Sequence, residues 1–128
     1  MKKNKKFSIK ERILSFKFAF EGLAHFFKKE HNSWIHLAAA VAAIFLAFYL
    51  EITAQDWLWI VLAIALVLIA EIFNTAIERM VDLATQNDHP LAKQAKDLAA
   101  AATLVTAILA IIIALLVYSP YIKGLIES

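Results

Sequence analysis

Four polar side chains recur at helical spacing directly after fourteen consecutive apolar residues, 57–70. They are Glu71, Asn74, Glu78 and Asp82. Steps of three, four and four residues place them within an arc of roughly 80° on one face of an α-helix. Carboxylate and amide oxygens suit Mg²⁺, which proteins commonly share with substrate phosphates. The spacing therefore predicts a site for a hard divalent cation beside a phosphate, at a depth where lipid meets water.

A second charged group follows at the start of another predicted helix, where Lys93, Lys96 and Asp97 stand. A lysine there meets phosphate as a point charge, and the helix N-terminus favours an anion. For Arg79 and Lys93 a plain salt bridge on a cytoplasmic helical extension is the favoured interpretation. Glu30, from an earlier part of the chain, is expected to reach the same level. There it either completes a carboxylate pair with Glu78 or is an ordinary interface charge, and the residues alone leave both interpretations open.

Other chemistries are excluded or disfavoured by composition. The chain has no cysteine, which excludes disulfides and thiolate metal sites. With only two glycines it lacks the phosphate-binding loop of Walker type. The four histidines include no pair spaced by four residues, so we expect them to be interfacial hydrogen-bonding groups rather than zinc ligands: His25, His31, His36 and His89.

The elements that must position these residues are membrane helices. Of the 128 residues, 62% are hydrophobic, against about 45–50% in soluble domains, and they form long runs. We predict an all-α integral membrane protein of a single domain, residues 1–128. It comprises a basic arm with an amphipathic interfacial helix (1–29) and three transmembrane segments, at 31–50, 57–86 and 90–118. At about 45 Å, the second helix exceeds a hydrocarbon core of about 30 Å, so its C-terminal third should emerge from the bilayer.

Local signals refine this outline. Ser8 and Glu11 have the form of a capping box at the start of the interfacial helix. Pro90 suits a first helical position, and the last helix is expected to end near Ser119 and Pro120. Six of the thirteen basic residues lie in the first twelve positions, which favours a cytoplasmic anchor beside anionic lipid over a nucleic-acid arm. The same rule places the N-terminus and the 79–96 region in the cytoplasm, and the loop "EITAQD" outside.

The polar segments also carry a resemblance. "EIFNTAIERMVD" followed by "HPLAKQAKDLAAAATLV" resembles the signature region of the prokaryotic diacylglycerol kinase family, which includes undecaprenol kinases. The shared pattern is Glu, two residues, Asn, Ser or Thr, two residues, Glu, three residues, Asp, and then Ala-Lys-Asp. It is matched at every position, and the basic arm, interfacial helix and three spans extend the likeness over essentially the whole chain.

The resemblance implies a homotrimeric kinase of the bacterial inner membrane that passes the γ-phosphoryl of ATP, with Mg²⁺, directly to a lipid hydroxyl. The implied partners are the lipid, ATP and two further copies of the chain, with no nucleic acid. By the same resemblance Glu71 is the general base, and Glu30 and Glu78 hold the metal. The residues that should border the nucleotide are Asn74, Asp82, His89, Lys96 and Asp97.

The lipid and the function class leave alternatives. Diacylglycerol kinases of Gram-negative bacteria have an acid where this chain has His36, and an arginine where it has Leu83. "HPLAK" and "NSWIH" are more similar to the Gram-positive branch, which favours undecaprenol, while diacylglycerol stays open. A non-enzymatic oligomeric membrane protein, for helix assembly or ion conduction, is the alternative class, and it would leave Lys96 and Asp97 replaceable.

Overall fold

The described part of the chain is all-helical, as predicted. A computed structural model describes residues 6–128, apart from the side chain of Asn32. In that range the chain forms four α-helices: α1 (Ile9–Lys29), α2 (His31–Tyr49), α3 (Ala54–Ala84) and α4 (Pro90–Glu127). They fall into two compact units, one ending at His31 and one running from Asn32 to Ser128.

Helix α1 begins where the capping pattern predicts. The side chain of Ser8 accepts the backbone N–H of Glu11 over 3.4 Å and so supplies an acceptor for one free amide of the first turn. Large apolar side chains, among them Phe16 and Phe20, are exposed along the helix. An exposed apolar stripe with lysines beside it is typical of a helix that lies in a membrane interface. Residues 1–5 of the predicted basic arm lie outside the described range.

Helices α2, α3 and α4 pack together around a small core near the turn between α2 and α3. Its buried residues come from all three helices and the turn: Ala47, Ile52, Ile60, Val117 and Tyr118. The hydroxyl of Tyr118 donates to the carbonyl of Ala43 over 2.6 Å, which ties α4 to α2. We call this end of the three helices, with the 50–53 turn, the turn end. The opposite end, at residues 85–89 between α3 and α4, is the site end.

Both α3 and α4 extend beyond their predicted bounds at the turn end. Thr53 caps α3, so the helix begins at Ala54 rather than at Trp57. Helix α4 continues through Pro120 to Glu127, so the predicted end near Ser119 and Pro120 is wrong.

A tertiary contact just after the proline explains the continuation. Proline has no N–H and usually ends or kinks a helix. Here the next side chain, Tyr121, is held at the start of α3: its hydroxyl accepts the Thr53 N–H over 3.1 Å and donates to Asp56 Oδ2 over 2.5 Å. These two bonds favour the helical backbone beyond Pro120.

The helices have the length and composition of membrane spans. In the described range α3 and α4 are each apolar and long enough to cross a bilayer, and α1 with α2, counted as one broken span, is a third candidate. The number of candidates is therefore two or three, against the three that were predicted. Helix α3, with 31 residues, is about 46 Å long, so its site end can pass beyond a hydrocarbon core of about 30 Å.

Candidate active site

The polar face predicted on α3 forms one stripe whose exposure increases toward the site end. The side chain of Glu71 is only 13% exposed, and Thr75, one turn further, is buried. The side chain of Asp82, near the end of the helix, is 64% exposed. The stripe therefore leads from a largely apolar environment to one that water and soluble ligands can reach.

Asn74 and Glu78 are joined across one turn of this stripe. Asn74 Nδ2 donates to Glu78 Oε1 over 3.3 Å. Asn74 Oδ1 is buried and has no hydrogen-bond partner among the described residues. An unpaired buried amide oxygen costs about 1–3 kcal/mol, so its presence beside a carboxylate calls for an explanation.

A hard cation fits this pair of oxygens. Mg²⁺ takes oxygen ligands, binds through one or two carboxylates, and completes its shell with water and substrate phosphates. Within the described residues no group of three or more His, Asp or Glu side chains is arranged to hold a metal. The carboxylate of Glu78 therefore stays a predicted metal ligand, and the unpaired amide oxygen of Asn74 is a candidate beside it.

A groove of about 680 Å³ lies at the site end, between the last turn of α3 and the first turns of α4. Its volume is in the range of small-molecule sites, about 300–1,000 Å³. Four of the predicted nucleotide residues line it, together with Lys93: Asp82, His89, Lys96 and Asp97. Only Asn74 of the predicted set lies deeper along α3, away from the groove lining.

Two lysine–aspartate pairs set the charge of the groove. Lys96 Nζ donates to Asp82 Oδ1 over 2.5 Å, from α4 to α3, and Lys93 Nζ donates to Asp97 Oδ2 over 2.5 Å within α4. The hydrogen bond to Asp82 raises the pKa of Lys96 above its ordinary 10.5, so the ammonium is charged at neutral pH. The Lys96 side chain is 41% exposed and stays accessible to an anion.

His89 and Pro90 start α4 at the rim of the groove. Pro90 occupies the first turn, as predicted, and His89 is the N-cap, with Nδ1 accepting the Leu91 N–H over 3.1 Å. The capping bond uses one ring nitrogen of His89. Its predicted role toward a nucleotide stays a prediction.

Glu30 is the one predicted site residue outside the unit that holds α3 and α4. It is the C-cap of α1, where its backbone N–H donates to the carbonyl of Phe26 over 3.1 Å. Its pairing with Glu78 on a metal ion stays a prediction.

The structure adds one residue that the sequence analysis did not assign to the site. His36 Nε2, on α2, lies 2.8 Å from Glu71 Oε1, on α3. His36 was expected to be a hydrogen-bonding residue, but nothing indicated that its partner would be the predicted base. The only available signal was depth: His36 and Glu71 lie at similar distances from the 50–53 turn, on adjacent antiparallel helices.

Fold and site together define a small helical protein with membrane-span helices and a polar face that can hold a cation and a polyanion. A family model described as prokaryotic diacylglycerol kinase matches residues 17–118. An undecaprenol kinase of Bacillus subtilis (strain 168) is 42% identical over 106 residues, which cover 83% of this chain and 86% of that protein.

Two diacylglycerol kinases are also similar. The protein from Synechocystis sp. is 41% identical over 102 residues, covering 79% of this chain and 58% of the relative. The protein from Helicobacter pylori (strain ATCC 700392 / 26695) is 34% identical over 108 residues, covering 77% and 83%. The chain therefore belongs to the prokaryotic diacylglycerol kinase family, and the prediction that it is a lipid kinase is confirmed.

Proposed function

We propose that this kinase transfers the γ-phosphoryl group of ATP, with Mg²⁺, to the hydroxyl of a membrane lipid. Undecaprenol is the first candidate acceptor and diacylglycerol the second, giving undecaprenyl phosphate or phosphatidic acid. One observation carries the proposal: a nearly buried carboxylate, Glu71, shares a helix face with the Asn74–Glu78 pair, and that face leads to the groove lined by Lys93 and Lys96. A lipid hydroxyl arriving from the bilayer and a phosphate chain arriving from water would meet there.

Glu71 is the proposed general base. The lipid oxygen attacks the γ-phosphorus, the new O–P bond forms, and the bond between the γ-phosphorus and the bridging oxygen breaks to release ADP. The hydroxyl proton passes to the Glu71 carboxylate. Such proton transfer contributes typically 10²–10⁴-fold to a rate, and the rest of phosphoryl transfer depends on positioning and charge neutralisation.

Glu78, Asn74 Oδ1 and, as a further proposal, Glu30 would hold the metal. A metal ion held there would supply charge neutralisation for the phosphate oxygens of the nucleotide. Asn74 Nδ2 holds one oxygen of Glu78, which limits the rotamers of that carboxylate. Because the carboxylate is already oriented, less entropy is lost when the ion and nucleotide bind.

The nucleotide would occupy the groove at the site end. Lys96 exchanges the carboxylate of Asp82 for phosphate oxygens, a change between two anionic partners that keeps its charge compensated. Asp97 and the loop at His89 border the remainder of the nucleotide. Lys93 is paired with Asp97, so Lys93 can likewise exchange a carboxylate for phosphate oxygens.

The proposed setting is the bacterial inner membrane, with the N-terminus and site end in the cytoplasm and the turn end outside. We also propose a homotrimer, which rests on the family resemblance. Large exposed apolar residues along the spans, such as Leu104 and Leu116, provide surface for lipid or for neighbouring copies.

The test is a transfer assay with radiolabelled ATP and separate undecaprenol and diacylglycerol acceptors in mixed micelles. Glu71→Gln should lower kcat by at least about 10²-fold with both acceptors, because the base is removed. The apparent affinity for MgATP, titrated at saturating lipid, should change little, since Glu71 does not contact the groove. Glu127→Gln, an exposed carboxylate at the turn end of α4, is the matched control and should retain full turnover.

A near-normal kcat in Glu71→Gln would show that the carboxylate is structural. The ratio of kcat/KM for the two acceptors decides which lipid is preferred.

A further inference from the structure

Among the described residues, His36 on α2 makes a close polar contact with the proposed base on α3. Its Nε2 lies 2.8 Å from Glu71 Oε1, within the range of a charge-assisted hydrogen bond. A carboxylate oxygen at this distance can accept a hydrogen bond from Nε2 when that nitrogen carries the proton. The contact therefore holds one of the two carboxylate oxygens and leaves Oε2 for a substrate hydroxyl.

The environment of Glu71 makes a polar partner important for the orientation of its carboxylate. Its side chain is 13% exposed, and residues 57–70 before it are all apolar. A carboxylate with little water around it depends on fixed donors for both its charge and its orientation. His36 is the more exposed member, at 34%, so it can supply the donor without itself being deeply desolvated.

The pair is not part of the packing that holds α2 against α3. The buried core of the three helices lies at the turn end, around Ala47 and Ile60. His36 and Glu71 each lie 11 residues, about three turns, from Ala47 and Ile60 along their helices. Loss of the His36 contact should therefore disturb the carboxylate more than the helix packing.

We infer that His36 is the positioning residue for Glu71: its Nε2–H orients the carboxylate so that the second oxygen accepts the proton of the lipid hydroxyl. This inference rests on the proposed role of Glu71 as the base. Among the described residues, His36 is not part of the groove lining proposed for the nucleotide, so its effect on turnover would run through Glu71. Its removal should lower turnover and leave MgATP affinity unchanged.

The experiment compares two replacements of similar size, His36→Gln and His36→Leu, in the full-length protein. Glutamine can present an N–H near the position of Nε2, whereas leucine cannot. His36→Leu should lower kcat by about 10²-fold, the effect of misplacing a reacting group by about 1 Å. His36→Gln should recover a large part of that loss. Leu37→Ala, an exposed apolar truncation at the next position of α2, is the control and should keep normal turnover.

A double-mutant cycle separates positioning from a general structural effect. If His36 acts through Glu71, then adding His36→Leu to Glu71→Gln should lower the residual kcat by no more than about twofold. A further drop as large as that of His36→Leu alone would overturn the inference, and so would equal losses in the glutamine and leucine variants.

The outcomes also separate this inference from the proposed function. If Glu71→Gln abolishes turnover while His36→Leu is as active as the parent, the assignment of Glu71 as the base is supported and the positioning role of His36 is refuted. If Glu71→Gln turns over normally, the base assignment and the positioning role fall together. A raised KM for MgATP in His36→Leu would place the residue with the nucleotide and contradict the inference.

Discussion

Asn74→Leu should separate stability from activity at the candidate metal site. The substitution removes the buried Oδ1, which has no hydrogen-bond partner among the described residues, and relieves a cost of about 1–3 kcal/mol. It also removes the hydrogen bond from Nδ2 to Glu78, which at 3.3 Å is long and contributes about 0.5–1.5 kcal/mol. The free energy of unfolding should therefore lie between roughly 0.5 kcal/mol below and roughly 2.5 kcal/mol above that of the parent.

The functional consequence should be a loss whichever way stability changes. The variant loses an oxygen ligand of the proposed metal site, so kinase turnover should fall sharply and MgATP should no longer stabilise the fold fully. In the parent, a ligand at 100 times its Kd adds about 2.7 kcal/mol to the free energy of unfolding. We expect Asn74→Leu to gain clearly less at the same MgATP concentration.

The assay is reversible unfolding in mixed micelles, with and without MgATP, beside the radiolabel assay. The control is Gln55→Leu, which replaces an exposed amide in the first turn of α3 at the turn end. It should shift stability by no more than about 0.5 kcal/mol and keep the full MgATP effect. Destabilisation of Asn74→Leu by more than about 2 kcal/mol would show that Oδ1 is satisfied in the molecule and refute the reasoning. Undiminished stabilisation by MgATP would place the metal site elsewhere.

Three further predictions concern orientation, the metal pair and pH. Cysteines introduced at Asp88 and Thr53 should label only from the cytoplasm and only from outside, respectively; external labelling at Asp88 would remove the groove from ATP. Glu30→Gln and Glu78→Gln should each abolish most turnover, and the double variant should be little worse than either, because residues that hold one ion do not act additively; additive losses would assign them separate roles. Folding raises the pKa of Lys96 above its ordinary 10.5. The stability that this contributes is present below pH 10.5 and is lost only as pH rises through the pKa of the folded state. Between pH 6 and 9, the free energy of unfolding should therefore vary with pH in the same way in Lys96→Met and in the parent. The affinity of Lys96→Met for MgATP should be lower than that of the parent at every pH. A difference in stability between the two proteins that changes with pH in that window would contradict the assigned ionisation.

Features that depend on local periodicity could be predicted from the sequence. The spacing of Glu71, Asn74, Glu78 and Asp82 is a property of one helix, and the structure places them on one stripe with a gradient of exposure. The cap at Ser8 is likewise local and forms as expected. Long apolar runs determine that the helices can span a membrane, because backbone groups in lipid must be satisfied within the segment.

Contacts between helices could not be obtained in this way. The Lys96–Asp82 bond depends on the rotation of α4 against α3, and the His36–Glu71 bond depends on the register of α2 against α3. A helical period gives the direction of a side chain relative to its own axis, but it carries no information on which neighbour it meets.

The end of α4 also shows that a local sequence signal can be overridden by a contact between helices. Pro120 is a local signal for a helix end, and by itself it predicts a stop. The helix continues because Tyr121 bonds to Asp56 and to Thr53, 65 and 68 residues earlier in the chain. Spacing and hydropathy thus determined the all-helical architecture, the presence of helices that can span a membrane, and the polar face on α3. Only the tertiary structure decided which side chains meet across helices, because those contacts are set by packing between segments that are distant in sequence.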